Sequence, residues 1–446
     1  MQKQGEKYEA IYKEGNSKEV VRVETSTKKM YVIDEASMIS TKKMAELQEA
    51  IKNGRVVVIG DKKQLAAVEQ GSMFRMSQDR LTVVELNEKT RQKTNDTKDF
   101  VRSIENPNNT ASEIRQTLKE RQEKGHLVEI GSTSKLNDKF VDDYAALAKK
   151  HGVSNVMGIA TTNQERRDLN AAIRDRLIQE KTIDINKSLS METLTAKRLS
   201  DLDKHQSSAY QVGDVLKSFN HQGNIKKDQE LRIEAIDKQN KSMTVVTIDK
   251  KTGENIRMNI SIERAAKFDA YSTNRDQFSV GDKIKFDKNI GNVKNGETAI
   301  IKEIDMKNKS MTVVTNDNKE KKIDIEKNKH LSHGYVTTVH SSQGADAKHV
   351  LDYKHTDSVR SDSKNSAYVS ATRATQSIKT YTNSVDTLAK KIETQQQKMN
   401  VHDYRDLKSQ SNEKMQASVN KLAEGSKSQS NEKMQASVNK LAERSR

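Results

Sequence analysis

No cysteine occurs among these 446 residues, so disulfides, thiolate metal sites and thiol nucleophiles are all excluded. Tryptophan is absent as well, and aromatic residues make up only 4% of the chain. A polymeric ligand would therefore be held chiefly by charge and hydrogen bonds, with little ring stacking. There is a single proline, Pro107. No apolar run approaches the roughly 20 residues of a membrane span, and residues 1–15 carry no apolar signal core, which makes the cytoplasm the default expectation. The apolar fraction is 33% and the mean hydropathy −0.90, so part of the chain is expected to be solvated, extended or disordered. What is abundant is positive charge. A net charge of +16 and a pI near 9.4 favour a polyanionic partner, bound by counterion release; the charge carries no information about sequence specificity. The ten histidines are scattered; His330 and His333, the closest pair, have no further ligands at metal spacing and read as ordinary polar residues.

At this length two or three domains and a sizeable core fit. The chain is organised around Tyr31-Val32-Ile33-Asp34-Glu35-Ala36-Ser37, which reads as a buried strand ending in two adjacent carboxylates. Met44, Leu47 and Ile51 then recur at helical spacing over 41–53, ahead of Gly54. Arg55 to Ile59 reads as a second buried strand, running into Gly60-Asp61-Lys62-Lys63-Gln64-Leu65. Strand, helix and strand within thirty residues predict a parallel crossover that brings both acidic strand ends to one edge of a sheet. Further on, a short strand is expected over 125–130 and an amphipathic helix carrying Phe140, Tyr144, Leu147 and Ala148. Val156 to Ala160 reads as another buried strand, followed by a helix after Thr162 whose amino end could meet a phosphate or be capped internally.

Five segments, taken in order, carry a resemblance. Asp34-Glu35-Ala36-Ser37, Gly60-Asp61-x-x-Gln64-Leu65-x-x-Val68 and Leu86-x-x-x-x-Arg91-Gln92 are similar to the second, third and fourth motifs of superfamily 1 DNA helicases. Gly334 to Gly344, containing Thr338, His340, Ser341 and Gln343, and Ala367 to Arg373 are similar to the fifth and sixth. The resemblance implies an α/β fold with two RecA-like P-loop lobes, ATP and Mg²⁺ as cofactors, and single-stranded DNA as partner. It implies that Asp34 holds the metal, Glu35 orients or deprotonates the attacking water, and Gln64 senses the γ-phosphate. Arg91 and Arg373 would reach that phosphate from opposite sides, because a guanidinium is planar, always charged and able to bind two oxygens at once. Gln343 and Gly344 would line the nucleotide, and Thr338, His340 and Ser341 would contact the DNA backbone. ATP would then close the cleft between the lobes and hydrolysis reopen it.

Residues 209–333 read differently, as alternating strands with an internal repeat. Val212-Gly213-Asp214 recurs 68 residues on as Val280-Gly281-Asp282, and Lys241 to Thr247 recurs without a gap as Lys309 to Thr315. Gly223-Asn224 and Gly291-Asn292 keep the register. Two small SH3-like β-barrel units fit the length. A Val-Gly-Asp barrel followed by Lys329 to Tyr335 and His-Ser-Ser-Gln-Gly resembles the helicase part of TraA/TraI-type conjugative relaxases, which implies 5′ to 3′ movement. The expected domains are 1–100, a truncated first lobe; 101–208, a connector and the start of the second lobe; 209–333, the repeats; 334–390, the rest of the second lobe; and 391–446, a helical or disordered tail in which Lys408 to Glu424 recurs as Lys427 to Glu443.

The first helicase motif departs from this pattern. Gly-x-x-x-x-Gly-Lys-Ser/Thr occurs nowhere, about thirty residues precede the Asp34 strand, and the relaxase nuclease is also missing. Lys62 and Ala67 stand where helicases often place prolines. The chain is thus expected to be the carboxyl-terminal portion of a longer protein, weak or inactive as an ATPase on its own. Two readings follow. In one it is a helicase module completed by a separately encoded amino-terminal helicase or relaxase piece; in the other, a noncatalytic remnant that binds single-stranded DNA or a partner.

Overall fold

The computed structural model describes residues 2–4, 7–14, 17–24, 30–51, 54–65, 71, 73–78, 81–86, 90–218, 225–248, 252–357 and 363–394, the first three stretches by backbone alone. Strands β1 (Gln2–Gln4), β2 (Lys7–Glu14) and β3 (Ser17–Glu24) form an antiparallel sheet in that order. Val68, the paired Gly223-Asn224 and the repeated tail beyond residue 394 lie outside the described residues.

The described chain falls into two compact units, and the smaller spans residues within Thr25–Lys62 and Ala66–Val84. It holds β4 (Met30–Ile33), α1 (Thr41–Ile51), β5 (Arg55–Val58) and α2 (Met73–Gln78). The expected crossover is present: β4 and β5 pair in parallel, Met30 with Arg55 through Ile33 with Val58. Met44, Leu47, Ala50 and Ile51 are buried along α1, as their spacing predicts. Ile33 and Val58 pack on a core of Ala36, Ile39, Met44 and Phe74. One expectation fails here. Neither strand is buried on both faces: Met30, Val32 and Val57 are 64%, 56% and 42% exposed, because among the described residues each strand has only the other as partner. The Asp34 strand also ends at Ile33; Glu35 turns left-handed with φ 49° and Ala36–Met38 form a 3-10 turn.

The larger unit continues with α3 (Asn95–Glu105), α4 (Ala111–Glu123), β6 (Leu127–Glu129), α5 (Thr133–His151), β7 (Val156–Ala160) and α6 (Asn163–Gln179). The repeat region contains β8 (Asp184–Ala196), β9 (Val215–Lys217), β10 (Glu230–Asp237), β11 (Ser242–Ile248), β12 (Asn255–Ser261), α7 (Ile262–Ala265), β13 (Asp269–Val280), β14 (Lys283–Phe286), β15 (Thr298–Asp305), β16 (Ser310–Thr315), β17 (Glu320–Asp324) and β18 (Leu331–His333). Then come β19 (Val336–Thr338), β20 (Ala347–Lys354), α8 (Lys364–Arg373), β21 (Ala374–Thr382) and α9 (Val385–Glu393).

Five strands form a wholly parallel sheet in the order β19-β7-β20-β21-β6. One face is covered by α3, α4, α8 and α9 through Phe100, Leu118, Val369 and Leu388. The other is covered by α5 and α6 through Phe140, Tyr144, Leu169 and Ile173. Burial on both faces is what a parallel sheet requires, and it explains the unbroken apolar run of β7. The fold is therefore α/β, as the sequence predicts.

The two repeats form sheets β12-β11-β10-β9-β13-β8 and β17-β16-β15-β14-β18. Their match reaches the backbone: a register shift between Ile233 and Ala235 recurs between Ile301 and Glu303, the same 68 residues apart. Gly213 and Gly281 both adopt positive φ, 94° and 96°, and a Cβ on Gly281 would stand 2.8 Å from the Thr182 carbonyl, so the Val-Gly-Asp corner needs glycine. The boundary differs from the expected residue 209. Strand β8 lies well before it, yet pairs with β13 over nearly its whole length and lends Leu189 and Met191 to the second repeat's core. No helix among the described residues is long and apolar enough to cross a membrane.

Candidate functional site

In the smaller unit, Asp34 follows the last residue of β4 and is exposed, its Oδ1 accepting the Glu35 amide at 2.8 Å. Glu35 is half-buried in its left-handed turn. The amide of Ala36 donates to the Ile59 carbonyl at 2.9 Å and that of Ile59 to the Ile33 carbonyl at 2.7 Å, which fixes the Asp-Glu turn against the end of β5. An exposed carboxylate at a strand end suits a hard divalent cation with water completing the shell. Among the described residues no group of three or more His, Asp or Glu side chains is placed to hold a metal.

The larger unit brings together segments far apart in sequence, and Lys63–Leu65 belongs to it. Leu65 joins the core formed with Val339, Ala367 and Val369. Asn365, in the first turn of α8, donates its side-chain amide to the carbonyls of Lys63 at 3.0 Å and Gln64 at 3.1 Å. Gln343 donates to Gln64 Oε1 at 3.5 Å, while its own buried Oε1 has no partner among the described residues. Thus Lys63–Leu65 of the third motif-like segment meets the fifth and sixth within one compact body.

Arg373 lies at the centre of this junction and is only 1% exposed. Its Nε donates to the Val369 carbonyl at 3.1 Å, Nη1 to the Ala345 carbonyl at 3.1 Å, and Nη2 to Thr372 Oγ1 at 3.1 Å. The guanidinium therefore ties the Gln343–Ala345 loop to α8, and in this arrangement most of its donors are committed to the protein itself. Gln92 braces the same point by donating to the Thr372 carbonyl at 3.2 Å, and the Lys93 amide donates to the Thr375 carbonyl at 2.7 Å. Its neighbour Arg91 is exposed. Gly344 is exposed with φ 77°.

Thr338 ends β19 at the carboxyl edge of the sheet, and its Oγ1 accepts the Ser341 amide at 3.3 Å. His340–Ser342 make a 3-10 turn in which His340 is exposed and Ser341 half-buried. The parallel neighbour β7 ends beside them at Ala160. The helix after Thr162, offered as a phosphate seat, is closed by its own capping box. Thr162 Oγ1 accepts the Glu165 amide at 3.1 Å, and the Glu165 carboxylate accepts the Thr162 amide at 2.7 Å, placing a negative charge where an anion would sit.

Sequence reasoning missed Asn365 and the bracing role of Gln92. Asn365 lies two residues before the sixth motif and carries no signal of its own. A buried Asn in a helix's first turn is informative only once the carbonyls it meets are known.

Comparison with known proteins gives two partial matches. Residues 5–132 match the model of an AAA domain, and residues 259–382 match that of the viral superfamily 1 RNA helicase core domain. No curated protein matches the chain. Among solved structures, it is similar to Bacteroides Pif1 bound to ssDNA at 14% identity, covering 86% of this chain and 76% of that one with a TM-score of 0.43. It is similar to Pif1 helicase from Candida albicans at 13% identity, covering 85% and 77% with a TM-score of 0.38. Bacteroides Pif1 in complex with ADP-AlF3 and ssDNA follows at 13% identity, covering 84% and 74% with a TM-score of 0.33. The second of these matches lies on the half of the chain that carries Gln343 and Arg373.

Proposed function

We propose that this chain is the carboxyl-terminal part of an ATP-driven helicase that moves 5′ to 3′ on single-stranded DNA in conjugative transfer. In this reading a separately encoded piece supplies the phosphate loop. The observation that carries it is the meeting of Gln64, Gln343 and Arg373, three positions that the helicase resemblance assigns to nucleotide sensing, within one body. The five motif-like segments in order and the superfamily 1 helicase-core match support it.

Bound Mg²⁺-ATP would supply the free energy of phosphoryl transfer. Asp34 would hold the metal and Glu35 the attacking water; Gln64 would read the phosphate through an amide that polarises without neutralising. Arg373 acts through the Gln343–Ala345 loop that it clamps, and so serves as a positioning residue in the arrangement described. The Thr338–Ser341 turn, continuous with that loop, would carry the change to the DNA backbone.

ATP hydrolysis by the purified chain, with and without single-stranded DNA, tests this reading beside Glu35→Gln and Arg373→Ala. The chain alone is expected to turn over weakly or not at all. Addition of a polypeptide bearing a phosphate loop should raise a DNA-stimulated activity that both substitutions abolish. Salt-sensitive DNA binding with no turnover under either condition would support the noncatalytic binding role instead.

A further inference from the structure

Helix α6 presents Arg166, Asn170 and Arg174 four residues apart, on one face, toward β19 and the second repeat. Two of the three are fully engaged. Arg174 Nε donates to both oxygens of buried Asp282 at 3.1 and 3.2 Å and its Nη2 to Ser279 Oγ at 2.9 Å. Asn170 donates to the Val336 carbonyl at 2.8 Å and accepts the Tyr335 and Val336 amides at 3.0 and 3.1 Å. Arg166 differs. It is half-buried, yet its guanidinium makes no hydrogen bond or ion pair among the described residues, and the one carboxylate whose charge reaches it is Asp287.

A guanidinium withdrawn from water with its donors unmet is costly. Here the cost is increased by like charge. Lys285 is 6% exposed, and its Nζ forms a long ion pair with Asp287 Oδ1 at 3.6 Å. Arg198 also acts on both Arg166 and Lys285, adding positive charge around the two cations that face Asp287. Burial, with Arg167 and Arg198 adding to it, pulls the Arg166 pKa down from its ordinary value, while Asp287 opposes the fall. A half-buried cluster with surplus positive charge and unmet planar donors is what an oxyanion requires.

Strand β14 runs antiparallel to α6, with Asp282 beside Arg174 at one end and Asp287 beside Arg166 at the other. Helix α6 starts at the carboxyl edge of the sheet, so Arg166 lies one turn nearer that edge than Asn170, toward Thr338 and His340. We propose that Arg166 and Lys285, with Arg198 at the rim and Asp287 as an internal counterion, form a seat for a backbone phosphodiester of single-stranded nucleic acid. The proposal deepens the strand-binding part of the function above and rests on it. The Thr338–Ser341 turn would be flanked by a phosphate held on the repeat side. The capping box closes the end of α6 to anions, and the seat lies one turn further along its side.

Fluorescence anisotropy of a labelled oligo-dT with the full chain, across a range of salt, tests it. Arg166→Met and Lys285→Met should each weaken binding about tenfold and lower the slope of log K against log salt by about 0.7, the value for one phosphate on a single strand, with a melting temperature no lower than that of wild type. Asp287→Asn should tighten binding, since it frees the cations from their counterion. If wild type binds and both cation variants keep its slope, or if Asp287→Asn binds no better, the seat is refuted while the strand-binding reading stands. If wild type does not bind the oligonucleotide at all, both are overturned.

Discussion

At the scale of single residues, the two Val-Gly-Asp corners show how one motif acquires two uses. Asp214 is satisfied within its own repeat, by Lys197 at 2.5 Å and the Gln211 amide at 2.8 Å. Asp282 accepts the equivalent Ser279 amide at 2.6 Å, but also Arg174 from α6 and the Tyr335 hydroxyl at 2.5 Å. It therefore fastens the second repeat to the helix that supports β19. Asp282→Ala would leave Arg174 charged and buried with no carboxylate, at a cost of about 3 to 5 kcal/mol in denaturant unfolding. Asp214→Ala should cost less, because Lys197 keeps access to water. Equal losses in the two variants would show that the bond to α6 adds nothing. The repeat made both aspartates legible in the sequence as corner residues. Their partners were not legible, because Arg174 and Lys197 lie at unrelated spacings and are chosen by packing.

At the scale of elements, strands and helices with a clear period were readable, and their ends and partners less so. The spacing of Met44, Leu47 and Ile51 gave α1, and the apolar run of β7 gave a strand buried on both faces. The same kind of run misled at β4 and β5, where composition alone cannot show how many strands stand alongside. Strand β8 was unreadable for a related reason: its partner β13 lies some eighty residues away. Between these repeats, His330 is buried beside Lys217 and Lys288, with Glu230 opposing them, and burial first and those lysines second push its pKa down to about 4. His333 and His349 are also lowered, chiefly by burial. Folded histidines of this kind resist the proton that unfolded ones accept. Stability should hold above pH 6.5 and fall as pH drops from there toward 4, by on the order of 3 kcal/mol from His330 alone. Thermal melts of wild type and His330→Asn between pH 7 and 4 would show the substitution flattening that decline; identical slopes would exclude His330 as its source.

At the scale of the whole molecule, the surplus of 79 Lys and Arg over 63 Asp and Glu makes ionic strength the first variable of any nucleic-acid measurement. If about six phosphates are engaged, affinity for an unstructured strand should drop about 300-fold between 50 and 200 mM salt. A salt-independent affinity would point to apolar contact instead. The α/β class and the order of the motif-like segments were legible from the chain; the clamp that Arg373 places on the Gln343–Ala345 loop required coordinates. The duplicated repeat also has a kinetic consequence. Strands β11 and β16 carry the same six residues, Ser-Met-Thr-Val-Val-Thr, and each pairs across an equivalent bulge. During folding each hairpin is therefore a competent decoy for the other's site, and mispairing must be undone before the native state is reached. Discrimination falls to the strands that differ: where the first copy has Val215, the second has Lys283, whose ammonium donates to the carbonyls of Val156 at 2.8 Å and Val153 at 3.3 Å. A buried lysine at that position works as an address label, directing the second copy to the sheet it must join.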